Sequence, residues 1–236
     1  MNVFHSRFLA SFRAPPRTVV ENHGAPSGLG LGGTGAGEFN GSKQYQLRRF
    51  AEATLGSSDL RLAVLLPEGE DACEWVGLHL VDFYNQVNML YAAISDQCTT
   101  ESCSVMSAGP KYEFHWSDGQ QYKKPIRVSA PQYITLLFEW AQKQMANEDT
   151  FPTQPGRPFP PNFLTATASV IFRRFLRVYA HIYHHHYLAC RQRSLEPLLN
   201  TAFKHFVCFA LHFNLIGAKD CAPVNDIMVS LGVTPA

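Results

Sequence analysis

Three arginines lie close together in one predicted helix, and their side chains could bind an anion. Arg173, Arg174 and Arg177 belong to the stretch IFRRFLRVYAHIYHHHY, in which apolar residues recur every three or four positions. This spacing places the apolar residues on one side of a helix and the arginines, with His181, on the other. No Asp or Glu occurs between residues 150 and 195. Unneutralised guanidinium groups suit a bidentate anion, phosphate above all, although a solvated face of a buried helix explains the pattern equally well.

A second set of residues has the composition of a metal site. Cys98 and Cys103 form a C-x4-C pair, and four histidines follow about 80 residues later, at positions 181, 184, 185 and 186. Two thiolates and two imidazoles would complete a closed, structural zinc site. The spacing leaves the two histidines undecided: His181 and His185 share a helix face, whereas His181 and His186 are about 140° apart on an ideal helix. Two free thiols and a surface histidine run remain the alternative.

An acidic group surrounds a tryptophan near the start of another predicted helix. Glu70, Asp71, Glu74 and Asp82 flank Trp75 in sequence or by helical spacing. An aromatic side chain with an acidic rim could bind a basic helical partner. Alternatively, Trp75 packs against the helix start and the acids interact favourably with the helix dipole. The residues themselves do not decide between these two interpretations.

The periodicity of the chain predicts an all-α bundle with one small β-hairpin. A helix from Asp71 carries an apolar stripe, followed by a loop after about residue 97 and a hairpin turning at Asp118–Gly119. Further helices are predicted at 131–146, from about 162 to 191, and after Pro197, with a short helix near the end. An additional short helix is predicted from Ser42.

Composition and charge narrow the classes of function. The chain has 236 residues, 46% of them hydrophobic, and a net charge of +1, so general attraction to nucleic acid or to membranes is not expected. No apolar run is long enough for a transmembrane helix. Residues 1–40 are Gly-rich and basic, which predicts a flexible tail before a domain at 41–236. The first 17 residues also fit a mitochondrial presequence, the less favoured interpretation.

Taken together, these motifs resemble the Mob (Mps-one-binder) kinase activators, in particular the Mob1-like subgroup. The resemblance covers nearly all of residues 42–217. The stretches that carry it are AEATLGSSDLRLAVLLPEGEDACEW, VDFYNQVNMLY, CTTESCSVMSAGPKYEFHWSDG, KKPIRVSAPQYI, PFPPNF, RRFLRVYAHIYHHHY and LNTAFKHFVCFALHFNLI. It implies the Mob/phocein fold with a structural zinc ion.

The resemblance also assigns roles to particular residues. It implies that the zinc ligands are Cys98, Cys103, His181 and His186. It implies a phosphopeptide pocket at Arg173, Arg174 and Arg177, where the first position is usually lysine in the family. It implies a kinase-binding surface at Glu70, Glu74, Trp75 and Asp82. It places a regulatory phosphorylation site at Thr54; Thr18 is a weak match to a second one, and the long tail and His185 depart from the family pattern.

The function implied by the resemblance is that of a non-enzymatic co-activator of NDR/LATS-type serine/threonine kinases in Hippo and mitotic-exit signalling. The expected partners are the N-terminal extension of such a kinase and a phosphorylated Ste20/Hippo-like kinase or scaffold. We expect a location in the cytoplasm and nucleus, including the spindle pole or division site. The competing hypothesis is a zinc-dependent hydrolytic enzyme, but the sequence contains no H-E-x-x-H motif and a four-ligand site lacks an open position.

Overall fold

The computed structural model describes residues 60–154 and 156–233. The two predicted phosphorylation sites, the tail at 1–40, the boundary at residue 41 and the helix predicted from Ser42 lie outside these ranges. The described part is helical apart from one small sheet. Its α-helices are α1 (Leu60–Ala63), α2 (Ala72–Ala92), α3 (Ala130–Ala146), α4 (Ser169–His181), α5 (Tyr187–Gln192), α6 (Glu196–His212), α7 (Ala218–Cys221) and α8 (Asn225–Ser230).

Helix α2 begins where the sequence predicted, because Asp71 caps it. The Asp71 carboxylate accepts hydrogen bonds from the backbone N–H groups of Cys73 and Glu74, at 2.9 and 3.0 Å. The predicted apolar stripe is buried throughout, which confirms the period-3.6 interpretation. Its members are Val76, Leu80, Phe83, Val87, Leu90 and Ile94.

The predicted hairpin is present, and the preceding loop adds a second ladder to it. Trp116 and Ile126 exchange both backbone hydrogen bonds at 2.8 Å around the predicted turn. Strand β1 (Ser107–Ala108) pairs antiparallel with β2 (Tyr112–Glu113). Met106 joins the two ladders, since it accepts a hydrogen bond from Phe114 and donates one to Val128. Residues 106–128 are called the small sheet below.

The long helix predicted from about 162 to 191 is continuous but not uniform. Two π-helical segments, Phe163–Ala168 and Ile182–His186, flank α4, and α5 follows the second. Such segments are rare and often mark functional positions. The apolar side of α4 packs into the core, where Phe172 stacks against Phe206 and Phe209 of α6.

Two aromatic clusters fill the core between α2 and the rest of the bundle. Phe83 contacts both α4 and α6 through edge-to-face ring pairs. The second cluster consists of Phe151, Phe159 and Phe163. Gly77 provides space for it, because a Cβ atom at this position would lie 2.9 Å from the ring of Phe159. None of the helices in the described residues is long and apolar enough to cross a membrane.

Candidate metal centre and arginine cluster

Four side chains converge on one buried point between the loop after α2 and the end of α4. The Sγ atoms of Cys98 and Cys103 and ring nitrogens of His181 and His186 all lie within 4.8 Å of one another. Cys98 Sγ is 3.5 Å from His181 Nε2, Cys103 Sγ is 3.4 Å from His186 Nε2, and the two Nε2 atoms are 3.3 Å apart. Neighbouring ligands of a tetrahedral zinc ion lie roughly 3.3–3.8 Å apart, given its usual bond lengths. The donor set and its spacing therefore fit zinc.

The second π-helical segment explains how the less periodic pair of histidines converges. His181 is the last residue of α4, and His186 closes the segment Ile182–His186. A π turn forms i→i+5 hydrogen bonds, so residues five apart come onto the same face. The choice of His186, which only the resemblance had indicated, is the one found in the cluster, whereas His185 lies outside it.

Neighbouring groups orient the candidate ligands. His181 Nδ1 donates a hydrogen bond to the Ser107 carbonyl at 2.9 Å, which leaves Nε2 unprotonated and directed at the cluster. The Tyr91 hydroxyl donates to Cys98, and the Ser102 hydroxyl donates to Cys103 Sγ at 3.7 Å. Such contacts fix the tautomer and direction of a ligand before a metal ion arrives.

The protonation equilibria of the cluster favour binding of a cation. Burial lowers the pKa of His181 to about 4 and also lowers the pKa of His186, so both imidazoles are neutral and able to coordinate near pH 7. Burial raises the pKa of Cys98 to about 12. A thiolate at this position therefore requires a compensating positive charge, which a metal ion supplies.

The arginine cluster, defined as Arg173, Arg174 and Arg177, faces the small sheet and α3 rather than open solvent. Arg174 Nη2 donates to the Ser117 carbonyl at 2.6 Å, and its guanidinium lies 4.7 and 4.1 Å from the ring centroids of Trp116 and Trp140. Its Nη1 atom is buried without a hydrogen-bond partner. Burial lowers the pKa of Arg174; Tyr133 and the Asp118 carboxylate act to raise it, and the two neighbouring arginines act to lower it.

The other two arginines also contact neutral groups. Arg177 Nη1 donates to the Tyr133 hydroxyl at 2.8 Å, and the guanidinium lies over the Phe114 ring. Arg173 donates from Nε to the Ser169 carbonyl and from Nη2 to the Ser169 hydroxyl, both at 3.1 Å. Within residues 60–154 and 156–233, none of the three arginines forms an ion pair with a carboxylate. All three arginines are half-buried, and these hydrogen bonds, like that of Arg174, go to neutral groups, which leaves open whether they bind an anion.

The structure places Trp75 in the core, as the second interpretation of the acidic residues proposed. Its side chain is 0% exposed, and its ring contacts that of His79 edge-on at 4.4 Å. An exposed aromatic side chain within an acidic rim is therefore not present. Glu70, Glu74 and Asp82 are half-buried, and we call these three residues together with Trp75 the acidic surface.

Several residues of these sites were not predicted from the sequence. Ser107, Ser117 and Tyr133 act through contacts with residues 44 to 74 positions away, so no local pattern identifies them. Trp116 and Trp140 were not identified either, because their cation–π contacts with Arg174 join residues that are far apart in sequence.

The fold and these sites define an all-α domain with a candidate structural metal centre and a separate cationic surface. The chain belongs to the Mob1/phocein family, whose sequence model matches residues 52–224. The family resemblance found in the sequence is thereby confirmed.

Relatives from distant organisms match most of the chain. A Dictyostelium discoideum protein named MOB kinase activator-like 1 homolog A is 50% identical over 195 residues, covering 83% of this chain and 91% of the relative. MOB kinase activator-like 1A of Arabidopsis thaliana is 50% identical over 192 residues, covering 81% and 89%. The Maintenance of ploidy protein mob1 of Schizosaccharomyces pombe is 49% identical over 191 residues, covering 81% and 90%.

Proposed function

We propose that this chain is a non-enzymatic co-activator of a serine/threonine kinase of the NDR/LATS type and that it binds a phosphopeptide at the arginine cluster. Its relatives are named as kinase activators, which supports a regulatory role. The observation that carries the proposal is the Nη1 atom of Arg174, which has no hydrogen-bond partner in the described part of the chain and lies in a cluster of three cations that form no ion pair there. A phosphate oxygen supplies the missing acceptor.

Physical chemistry favours a phosphate over a carboxylate at this position. A phosphorylated side chain carries close to two negative charges and three acceptor oxygens, so it can bind more than one guanidinium at once. Each charge-assisted hydrogen bond contributes about 1.5–3 kcal/mol. The exposed side chains of Lys123 and Lys124 lie in the same small sheet and add to the positive potential. The ligand expected is a phosphorylated segment of an upstream Ste20/Hippo-like kinase or of a scaffold.

Titration calorimetry with a phosphothreonine peptide and its unphosphorylated counterpart tests this proposal. We expect binding that requires the phosphate and falls at least tenfold in Arg174→Ala, because two or more charge-assisted contacts are lost. Arg127→Ala is the matched control, since Arg127 is exposed on the same small sheet and already paired with Glu113. Equal affinity for the phosphorylated and the unphosphorylated peptide would show that the arginine cluster does not recognise phosphate.

We propose that the metal centre holds zinc in a structural role. The two thiols and two imidazoles occupy all four tetrahedral positions, which leaves none for a substrate or an activated water. This donor set favours a structural cross-link between the loop at residues 98–103 and the helix end at 181–186. It argues against the competing hypothesis of a hydrolytic zinc enzyme. The bound ion would supply cross-linking and charge neutralisation of the thiolates.

We propose that the acidic surface binds the basic N-terminal extension of the kinase. Because Trp75 is buried, we infer that it does not contact the kinase itself. Its ring instead holds the first turn of α2 against the core, and Glu74 and Asp82 lie on this helix. Double reversal, Glu70→Lys with Glu74→Lys, is expected to abolish capture of a kinase extension, while Glu139→Lys, an exposed reversal on α3, is expected to leave it intact. Unchanged capture by the double variant would exclude this surface.

The remaining proposals concern regulation and location. Phosphate on Thr54 adds up to two negative charges and would compete with the acidic surface for basic tail residues. Deleting residues 1–40 is then expected to increase affinity for the kinase extension without phosphorylation. We also propose a location in the cytoplasm and nucleus.

A further inference from the structure

Ser107 is bound on two sides by the helix that carries the candidate metal ligands. Its carbonyl accepts the hydrogen bond from His181 Nδ1 at 2.9 Å, and its hydroxyl donates to His185 Nε2 at 3.1 Å. The backbone N–H of Gly109 also donates to His185 Nε2, at 3.4 Å. Because an N–H can only donate, His185 Nε2 is an acceptor and its proton is on Nδ1. The rings of His181 and His185 stack at 4.7 Å, so the two contacts to Ser107 are held together.

The turn beside Ser107 is shaped to approach these histidines closely. Gly109 has φ +66°, and a Cβ atom added there would lie 3.1 Å from His184 Nδ1. The positive φ and the short approach together require glycine at this position. The first turn of the small sheet thus packs against the π-helical segment Ile182–His186, in which His186 belongs to the metal cluster and His184 and His185 do not.

The same small sheet extends from Ser107 to the arginine cluster within a few residues. Ser107 pairs in register with Glu113. The next residue along that strand, Phe114, lies beneath the Arg177 guanidinium, and Trp116 lies beneath that of Arg174. Ser117 then accepts the hydrogen bond from Arg174 Nη2. Helix α4 therefore contacts the small sheet at two places. Near its end the contact is made by the candidate metal ligand His181, and one to two turns earlier it is made by Arg174 and Arg177.

We propose that His185 and Ser107 are positioning residues that couple occupancy of the metal site to phosphopeptide affinity. The proposal rests on the function proposed above for the arginine cluster. With the metal bound, His181 is fixed and holds the Ser107 carbonyl, while His185 holds the hydroxyl of the same residue. The sheet is then locked in the register that places Trp116 and Ser117 against Arg174. Loss of either contact frees the sheet to shift and misplaces the guanidinium, without touching any phosphate-binding atom.

Phosphopeptide titration of the metal-loaded full chain tests the coupling. We expect Ser107→Ala and His185→Ala each to weaken phosphopeptide binding by about fivefold, the lower end of common allosteric couplings. Ser107→Thr keeps the hydroxyl and is expected to bind the phosphopeptide as tightly as the unaltered protein does. If Ser107 acted only by filling space, retention of the hydroxyl would not matter. Tyr183→Phe is the matched control, because it removes a hydrogen bond to Asn200 of α6 from the same π-helical segment but leaves the sheet contacts intact.

A reciprocal measurement gives a second readout in the same proteins. Linkage requires the phosphopeptide to raise the affinity for zinc by the same factor by which zinc raises the affinity for the peptide. Competition with a chromophoric chelator is expected to show tighter zinc binding when the peptide is present, and a smaller gain in His185→Ala and Ser107→Ala than in Tyr183→Phe.

The outcomes separate this inference from the proposed function. Unaltered peptide affinity in both folded variants, or a zinc affinity that the peptide does not change, overturns the coupling while leaving phosphate recognition in place. Absence of phosphate-dependent binding in the unaltered protein overturns both. Thermal unfolding of each variant establishes that the comparison is made between folded proteins, and the two independent variants provide the test even where one of them does not fold.

Discussion

The guanidinium of Arg174 has an environment that a lysine ammonium cannot reproduce. It lies over the rings of Trp116 and Trp140 while one nitrogen bonds the Ser117 carbonyl. Planar stacking orients the remaining N–H groups in one direction, whereas a lysine presents a strongly hydrated point charge on a flexible stem. Arg173 is different, because its guanidinium is already engaged by Ser169.

We therefore predict that lysine substitutions at these two arginines differ in effect. Arg174→Lys is expected to weaken phosphopeptide binding about tenfold despite conserving the charge, since stacking and bidentate geometry are lost. Arg173→Lys is expected to stay within about twofold, because its contribution is mainly charge. Calorimetric titration of both variants makes the comparison, and equal losses would contradict this distinction between geometry and charge.

For individual residues, the sequence indicated which side chains form the candidate sites better than it indicated what surrounds them. The thiols and imidazoles were identifiable because few chemistries use that combination, and the arginines because no local carboxylate accompanies them. Periodicity alone could not identify His186, since a helix drawn with uniform geometry separates it from His181. Trp75 was ambiguous because burial depends on distant packing, which no window of sequence records.

Helices α2 and α6 meet at two buried histidines that belong to neither site. His79 and His205 are 1% and 4% exposed, and their rings are 5.9 Å apart among the aromatic side chains of Trp75, Phe83 and Phe209. Both ring nitrogens of His79 lack a hydrogen-bond partner. Burial lowers the pKa of His79 to about 3 and that of His205 to about 4.

These lowered pKa values predict acid destabilisation. The unfolded chain binds protons on both histidines near pH 6.5 while the folded protein does not, so the free energy of unfolding falls as the pH drops from about 6.5 towards 4. We expect a loss on the order of 2 kcal/mol per histidine at pH 5. Denaturant titration of His79→Leu is expected to show a shallower pH dependence, with no loss at pH 7 because no hydrogen bond is removed. An unchanged slope would contradict the assignment.

At the level of secondary-structure elements, the presence and position of the helices could be predicted from the capping residues and from the spacing of apolar residues. The starts of α2 and α3 lie at Asp71 and Ser129, whose side chains accept backbone hydrogen bonds, and both are of a type that sequence reasoning recognises. Strand β1 was missed because two residues are too few to show alternation. The π-helical segment Ile182–His186 was missed for another reason: it brings His186 and His181 together beside cysteines 83 residues away, which no local preference records.

At the level of the whole molecule, the candidate metal centre brings together two segments that are 83 residues apart in sequence. Because a structural zinc ion binds the folded state preferentially, its removal lowers stability by linkage. We predict that a strong chelator lowers the thermal midpoint by about 10 °C or more, given about 2–4 °C per kcal/mol for a domain of this size.

Cys98→Ser is expected to reproduce the effect of the chelator. Cys221→Ser provides the control, since Cys221 is also a buried thiol but lies outside the cluster. Scanning calorimetry makes the comparison. A thermal midpoint that responds equally to both serine variants, or that does not respond to the chelator, would argue against a structural metal ion.

We propose that one molecule presents a cationic and an acidic surface on a single metal-linked bundle and thereby joins a phosphorylated partner to a kinase. Native mass spectrometry of the full chain with a phosphothreonine peptide and a kinase N-terminal extension tests this claim most directly. We expect a species in which the protein carries one zinc ion, one phosphopeptide and one kinase extension. Mutually exclusive binding of the two ligands, or equal uptake of the unphosphorylated peptide, would contradict it.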